Sequence, residues 1–280
     1  MTIDKGSRDD YDLRRLTDVA VTAALKAGAA IMDVYGSSNL EIESKADDSP
    51  VTVADLRADA VIKDILRDTG LPVLSEEGRQ IPFGERKAWR LFWLVDPLDG
   101  TKEFIDQSGE FTVNIALMDR DTPVAGVVFA PVKNVLYIGI TGQGAWKVKN
   151  SSDREPLPGY NGKGYGIVGS RSFMDDLTDS FIRNFTGRYG DTRMVTCGSS
   201  LKFCMIAEGE ADIYPRFSNI SEWDTAAGHA IVLAAGGYVV QALRTGQPLI
   251  YNKPSSRNPW FIAYRDMQLL ESVKDLIPGS

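Results

Sequence analysis

The run Leu91-Phe92-Trp93-Leu94-Val95, followed at once by Asp96-Pro97-Leu98-Asp99-Gly100-Thr101, constrains this chain more than any other stretch. The apolar residues read as a buried strand. Pro97 and Gly100 force a turn at its end, so the carboxylates of Asp96 and Asp99 can converge on one point. Oxygen ligands gathered at a strand end suit a hard divalent cation. Gly100 lets the backbone approach a ligand closely, and the N–H groups after the turn can face an anion. The stretch from Trp93 to Ile105 therefore reads as a metal-and-phosphate site.

Other classes of chemistry are disfavoured. The chain has 280 residues, 43% hydrophobic and 25% charged, which is ordinary for a globular protein of one large domain or two joined halves. There is no apolar run of membrane-spanning length. Met1 to Asp12 is polar and acidic, unlike a signal peptide. With only Cys197 and Cys204, no disulfide framework is expected; both read as packed free thiols in a cytoplasmic protein. A net charge of −7 argues against nucleic-acid binding and makes an anionic substrate dependent on metal ions or a few placed Lys and Arg residues. The single histidine, His229, reads as a packed helix residue, and no Gly-x-Ser-x-Gly elbow is present. Hydrolysis would have to rely on carboxylates and metal-activated water.

Periodicity predicts a helix over Asp9–Tyr35, a short strand over Leu40–Glu43, a polar loop over Lys45–Pro50 and a helix from Asp55 to about Asp68, with Asp55 in its first turn. Pro72–Leu74 reads as a strand ending in Ser75-Glu76-Glu77-Gly78. Strands over Phe111–Met118, Val124–Phe129, Val135–Ile140 and Gly144–Val148 predict an antiparallel meander. Asn150–Gly164, rich in Ser, Pro, Gly and Asn, is the expected boundary between an N-terminal α+β half (1–150) and a C-terminal α/β half (151–280) of one continuous catalytic unit. In the second half, strands and helices alternate, and Asp224 in Glu222-Trp223-Asp224-Thr225-Ala226-Ala227-Gly228 reads as a helix N-cap.

Four pieces occur in order: Pro50-Val51-Thr52-Val53-Ala54-Asp55, Ser75-Glu76-Glu77, Asp96-Pro97-Leu98-Asp99-Gly100-Thr101 and Trp223-Asp224-Thr225-Ala226-Ala227-Gly228. Together they resemble the inositol monophosphatase-like superfamily of metal-dependent, lithium-sensitive phosphatases. Lys102-Glu103-Phe104, Ser170-Arg171-Ser172, and the run from Gly198 to Gly209 followed by Asp212-Ile213-Tyr214-Pro215-Arg216-Phe217 are similar to the bacterial CysQ-type 3′(2′),5′-bisphosphate nucleotidases. Two places depart from that pattern. Phe173 stands where His is usual after Ser-Arg-Ser, and Ser218–Glu222 differs from the expected loop; both bear on nucleoside contacts.

The resemblance implies a layered α-β-α-β-α sandwich and Mg²⁺-dependent hydrolysis of 3′-phosphoadenosine 5′-phosphate to AMP and phosphate, in sulfate assimilation. It implies that Glu76, Asp96 and the Leu98 carbonyl hold one Mg²⁺, and Asp96, Asp99 and Asp224 a second. A third, weaker ion would sit near Glu76 and Glu77, with Lys45 nearby. Thr101 and Asp55 would activate the water, and the Gly100 and Thr101 N–H groups would hold phosphate oxygens. Lys102 and Arg171 would meet the second phosphate or ribose, with Lys202 and Arg216 as further candidates, and Trp223 would help position Asp224. The expected partner is a small phosphorylated nucleotide, bound by a monomer or a homodimer without an integral membrane segment. Three alternatives stay open: an inositol or sugar phosphate as substrate, an aspartyl-phosphate mechanism, and a non-catalytic phosphate binder. The Asp-x-x-Asp spacing with Pro97 between disfavours the second, and the complete acidic set disfavours the third.

Overall fold

The computed structural model describes residues 12–36, 42–44, 50–150, 154–158, 165–170, 175–190, 192–244 and 246–279. Helix α1 (Leu13–Tyr35) starts where the Asp12 side chain accepts the Arg15 N–H, and the middle of its buried stripe, Ala20, Ala23, Ala24, Ala27 and Gly28, is small. Those small residues let the helix lie close to its neighbours: a Cβ added at Gly28 would stand 2.4 Å from the Phe129 ring. The hairpin β1 (Ile42–Ser44) and β2 (Pro50–Thr52) leads into α2 (Val53–Arg67).

A seven-stranded sheet follows, built from β3 (Val73–Ser75), β4 (Leu91–Asp99), β5 (Thr112–Asp119), β6 (Thr122–Ala130), β7 (Val135–Ile140), β8 (Gly144–Lys149) and β9 (Glu155–Leu157) in that spatial order, with α3 (Phe83–Arg86) and α4 (Thr101–Ile105) flanking β4. Only β3–β4 is parallel; from β4 to β9 the strands form the expected antiparallel meander. Strands β4 to β7 are apolar almost throughout because both faces of this sheet are covered.

The second half contains β10 (Gly166–Ser170), α5 (Asp176–Tyr189), β11 (Arg193–Cys197), α6 (Leu201–Glu208), β12 (Ile213–Arg216), α7 (Trp223–Ala234), β13 (Tyr238–Gln241), β14 (Phe261–Tyr264) and α8 (Met267–Val273). Its five-stranded sheet runs β11-β10-β12-β14-β13, parallel on one side and antiparallel on the other. Three apolar clusters separate the layers. One joins α1 and α2 to the large sheet; one places α6 and α7 between the sheets; one seats α5 and α8 on the outer face of the small sheet. The result is the expected layered α-β-α-β-α sandwich.

The departures have local causes. The early strand is Ile42–Ser44 rather than Leu40–Glu43, and Leu40 and Glu41 lie outside the described residues. The strand expected to stop at Val95 continues to Asp99, because Asp96 still pairs with Asn114 before the register shifts to Asp99–Thr112. Pro97 cannot donate to the ladder, so the shift falls there and re-aims the strand end. Helices α3 and α4 and strand β9 are too short to show a period in sequence. Strand β9 also lies inside the polar stretch read as the boundary.

Candidate metal centre and active site

Helix α2 opens with a reciprocal cap. The Thr52 hydroxyl accepts the Ala54 N–H, while Asp55 Oδ2 accepts the Thr52 N–H at 2.8 Å and the Thr52 hydroxyl at 2.6 Å. This holds a carboxylate that is only 2% exposed, and it leaves Oδ1 to accept the Thr101 hydroxyl at 3.3 Å. Thr101 begins α4, directly after Gly100, whose φ of +94° lies in the left-handed region that glycine tolerates. The positive φ lets the chain reverse from the strand end into the helix.

The ends of β3 and β4 and the start of α7 bring three carboxylates together. Oxygens of Glu76, Asp96 and Asp224 lie within 4.8 Å of one another, the one such metal-capable group among the described residues. Burial pushes the Asp96 carboxyl well above its ordinary range, and the charges of Glu76, Asp99, Asp224 and Asp55 push it further. Asp224 is raised in the same way, first by burial and then by Asp99 and Glu76. Burial also raises Asp99, against the opposing influence of Lys202 and the hydrogen bonds from Ser200 and Asn114.

The trio takes two ligands from each expected set, Asp96 being common to both, and leaves Asp99 outside. Asp99 Oδ2 accepts from Asn114 Nδ2 at 3.1 Å and lies 2.7 Å from Ser200 Oγ. Asn114 is fixed in turn by the Thr112 hydroxyl, and Ser200 Oγ also lies 2.6 Å from the Asp224 carbonyl. Neither Asn114 nor Ser200 stands out in the sequence: Asn114 is an ordinary polar residue until β5 pairs with β4, and Ser200 until the second half meets the first.

Asp224 is not the N-cap that its sequence context suggests; that position belongs to Glu222. Asp224 lies one turn-step inside α7, where its Oδ2 accepts the Ser221 N–H at 3.0 Å. Glu222 is fully buried. Its carboxylate accepts the N–H groups of Asn252 and Lys253 at 2.9 and 3.1 Å and the Lys253 ammonium at 2.5 Å. Buried Arg86 closes the clamp from the first half, donating to Asn252 Oδ1 and to the Lys253 carbonyl, each at 2.6 Å. Trp223 packs partly buried against the central cluster.

A cavity of about 320 Å³ opens over these acids. Glu76, Asp96, Leu98, Asp99, Gly100, Thr101, Lys102, Lys202, Arg216 and Asp224 all line it, as expected for one site. Tyr214 and Asn219, from the stretches set against the nucleotidases, line it as well, and so does Arg257, which does not stand out in the sequence. Glu77 follows Glu76 but stands outside the trio. Lys45, Arg171 and Phe173 lie outside the described residues. His229 is buried with Nδ1 2.9 Å from the Tyr251 hydroxyl, and both cysteines are buried free thiols, so none of the three is offered to the site.

The donor set fits a hard divalent cation. Every group is an oxygen, and buried carboxylates that raise one another's pKa favour a bound positive charge. Two stacked sheets with an acidic centre at their junction, beside a Thr–Asp pair, define the class: a layered hydrolase fold with a carboxylate centre able to hold a divalent cation. The chain belongs to the inositol monophosphatase family, whose model matches residues 12–268. It is 45% identical over 253 residues to the 3′(2′),5′-bisphosphate nucleotidase CysQ of Escherichia coli, covering 88% of this chain and 98% of that protein. With the protein of the same name from Salmonella typhimurium it shares 49% over 220 residues, 77% of this chain and 86% of the other. The crystal structure of CysQ from Bacteroides thetaiotaomicron, described as a bacterial member of the inositol monophosphatase family, superposes with a TM-score of 0.83 at 42% identity, covering 91% of this chain and 99% of that one.

Proposed function

We propose that this chain is a Mg²⁺-dependent 3′(2′),5′-bisphosphate nucleotidase that hydrolyses 3′-phosphoadenosine 5′-phosphate to AMP and phosphate, clearing a by-product of sulfate assimilation. The observation that carries the reading is the meeting of Glu76, Asp96 and Asp224 within 4.8 Å, beside the Thr101–Asp55 pair. The relatives at 45–49% identity over most of their length support the choice of nucleotide. The halves 1–150 and 151–280 act as one catalytic unit, since Asp224 comes from the second and the other acids from the first.

Glu76, Asp96 and the Leu98 carbonyl would hold one Mg²⁺, and Asp96, Asp99 and Asp224 another; a third would lie near Glu76, Glu77 and Lys45. Such ions supply neutralisation of phosphate charge and acidification of water, which a barrier as large as that of phosphate monoester hydrolysis demands. Asp55 Oδ2 is held by Thr52, so Oδ1 stays aimed at Thr101. The Thr101 hydroxyl accepts a proton from the attacking water as its own passes to Asp55 Oδ1. The Gly100 and Thr101 N–H groups hold phosphate oxygens as charge develops on them. Lys102 and Arg171 are the first candidates for the second phosphate or the ribose, with Lys202 and Arg216 after them.

Phosphate release from the bisphosphorylated adenosine, from inositol 1-phosphate and from fructose 1,6-bisphosphate tests this, each with Mg²⁺, with Li⁺ added and after chelation. The expected result is the highest kcat/KM for the nucleotide, lost on chelation and depressed by Li⁺. A higher value for the inositol or sugar phosphate overturns the substrate, and full activity under chelation overturns the metal centre.

A further inference from the structure

The substrate proposed above carries two phosphates, and only one can lie over the acidic trio. The other is a dianion beside a cavity wall already rich in carboxylates, in a chain of net charge −7. It therefore needs a positive group that is not already committed. The described cations of the cavity differ in this respect. The Lys202 ammonium is buried, donates to the Ser199 carbonyl at 2.7 Å, and acts on Asp99. Lys102 has interactions of its own. Among the described residues, Arg216 and Arg257 have no carboxylate within ion-pair distance; Arg216 is half-buried at the end of β12, with its Nε sealed from solvent, whereas Arg257 is exposed at the cavity's edge.

Its backbone is fixed all the same. Arg257 forms an isolated antiparallel bridge with Ser221, whose N–H is held by Asp224 Oδ2 at 3.0 Å. On either side, Glu222 N–H donates to the Ser256 carbonyl and Asn258 N–H to the Ile220 carbonyl, both at 2.8 Å. The Asn258 side chain donates to the Ser221 carbonyl and to the Thr225 hydroxyl. Residues 256–258 are thus stitched to 220–222, the segment that delivers Asp224. The Arg257 side chain lines the catalytic cavity and also one wall of a second cavity of about 600 Å³, so it forms a ridge open on two sides. A guanidinium is weakly hydrated and presents a planar fork that matches two phosphate oxygens.

We propose that Arg257 is a specificity residue that binds the phosphate that is not hydrolysed, and so helps this site prefer a bisphosphorylated nucleoside to its monophosphate. The inference rests on the nucleotidase reading above and adds to it a residue from the far edge of the cavity.

The test compares 3′-phosphoadenosine 5′-phosphate with adenosine 3′-monophosphate, which offers the same scissile group without the second phosphate. Both are measured with wild type, Arg257→Leu and Arg257→Lys. The ratio of the two kcat/KM values is expected to fall about tenfold in Arg257→Leu, through KM of the bisphosphate, since a charge-assisted contact is of that order. Arg257→Lys should keep an intermediate ratio. The KM of the bisphosphate should also depend less on salt in Arg257→Leu than in wild type. An exposed side chain without partners can be removed without unfolding the chain, and thermal melts check this. A ratio within twofold of wild type in Arg257→Leu overturns the inference while leaving the nucleotidase reading standing. A wild-type enzyme that does not hydrolyse the bisphosphate overturns that reading itself, and Arg257's part with it.

Discussion

Gly126 on β6 lies directly against Ala227 on α7: a Cβ added at Gly126 would stand 2.2 Å from the Ala227 carbonyl oxygen. The same closeness recurs one strand over, where a Cβ on Gly139 would meet the Ile231 Cα at 2.6 Å, and on the far side of α7, where one on Gly228 would meet the Phe203 ring at 2.6 Å. The run Thr225-Ala226-Ala227-Gly228 thus lets α7 sit close between two layers. That depth decides where Asp224, in the first turn, meets Asp96 at the end of β4.

Replacing Gly126 with alanine therefore has two linked effects. The methyl meets backbone, which cannot swing aside, so the helix must lift. Stability should fall by about 1–3 kcal/mol, the usual cost of overpacking a tight core. The Mg²⁺ concentration for half-maximal activity should rise at the same time, because Asp224 moves with the helix. Urea denaturation and a Mg²⁺ titration of turnover measure the pair. A destabilised Gly126→Ala enzyme with a wild-type Mg²⁺ requirement would break the link between helix depth and the metal centre.

The Asp55 carboxylate serves the cap of α2 with one oxygen and Thr101 with the other. Asp55→Asn should separate those roles. An amide can keep its oxygen on the Thr52 donors, and its NH₂ then faces Thr101, where it cannot take a proton. Turnover should drop by about 10²- to 10⁴-fold, the range for loss of general-base assistance, with KM little changed. Stability should fall by only about 1 kcal/mol, as for a weakened cap. Steady-state kinetics beside denaturant melts decide it; near-normal turnover would remove the Thr101–Asp55 pair from the mechanism.

Much of this site is legible in the chain because its acids sit where local pattern marks an element end. Asp96 and Asp99 follow the apolar run of β4, Glu76 follows the shorter β3, and Asp55 and Asp224 stand in first helical turns. The layered fold is legible for a related reason: α1, α2 and β4 to β7 are long and strongly patterned. What escapes is set by contacts far apart in sequence. Asn114 supports Asp99 only once β5 has paired with β4, Ser200 only after the halves have met, and Arg257 is fixed at the cavity through its bridge to Ser221. Glu222, at the N-cap position, makes no capping bond and is held instead by a loop thirty residues later that donates to its carboxylate. No local signal distinguishes it from Asp224.

His229 gives a clean pH prediction, since it is the chain's one histidine. Burial pushes its pKa down from 6.5 to about 3, so the folded protein keeps it neutral beside the Tyr251 hydroxyl. The unfolded chain takes up the proton first. Its contribution is fully present above pH 6.5 and is lost as pH falls toward 3. At pH 5 the loss is about 2 kcal/mol, from roughly 1.4 kcal/mol per pH step below the unfolded value. In His229→Asn the fall in denaturant stability between pH 7 and pH 5 should be smaller by that amount, although the variant starts lower because the packing is disturbed. Equal slopes in the two proteins would mean that the imidazole titrates normally.

The acidic centre makes the opposite prediction for the metal-free enzyme. Asp96 is 2% exposed, and its carboxyl is raised above the ordinary 3.8 by burial and by Glu76, Asp99, Asp224 and Asp55. The folded state therefore holds this proton more tightly than the unfolded chain does. Below the unfolded value both states are protonated and the charge costs nothing; as pH rises through the folded value, the penalty grows. Asp96→Asn removes the charge, and its side-chain oxygen can still accept the Leu98 N–H that Asp96 accepts at 3.0 Å. In excess chelator at pH 8 the variant should melt higher than wild type, by about 2–4 °C for each kcal/mol relieved. The gap should close as pH falls toward 4. Added Mg²⁺ should reverse the order, since only wild type gains binding free energy from the ion, and turnover should be lost in the variant. Thermal melts across pH, with and without Mg²⁺, read all of this. A variant that melts below wild type in chelator at pH 8 would show that these carboxylates do not strain the metal-free fold.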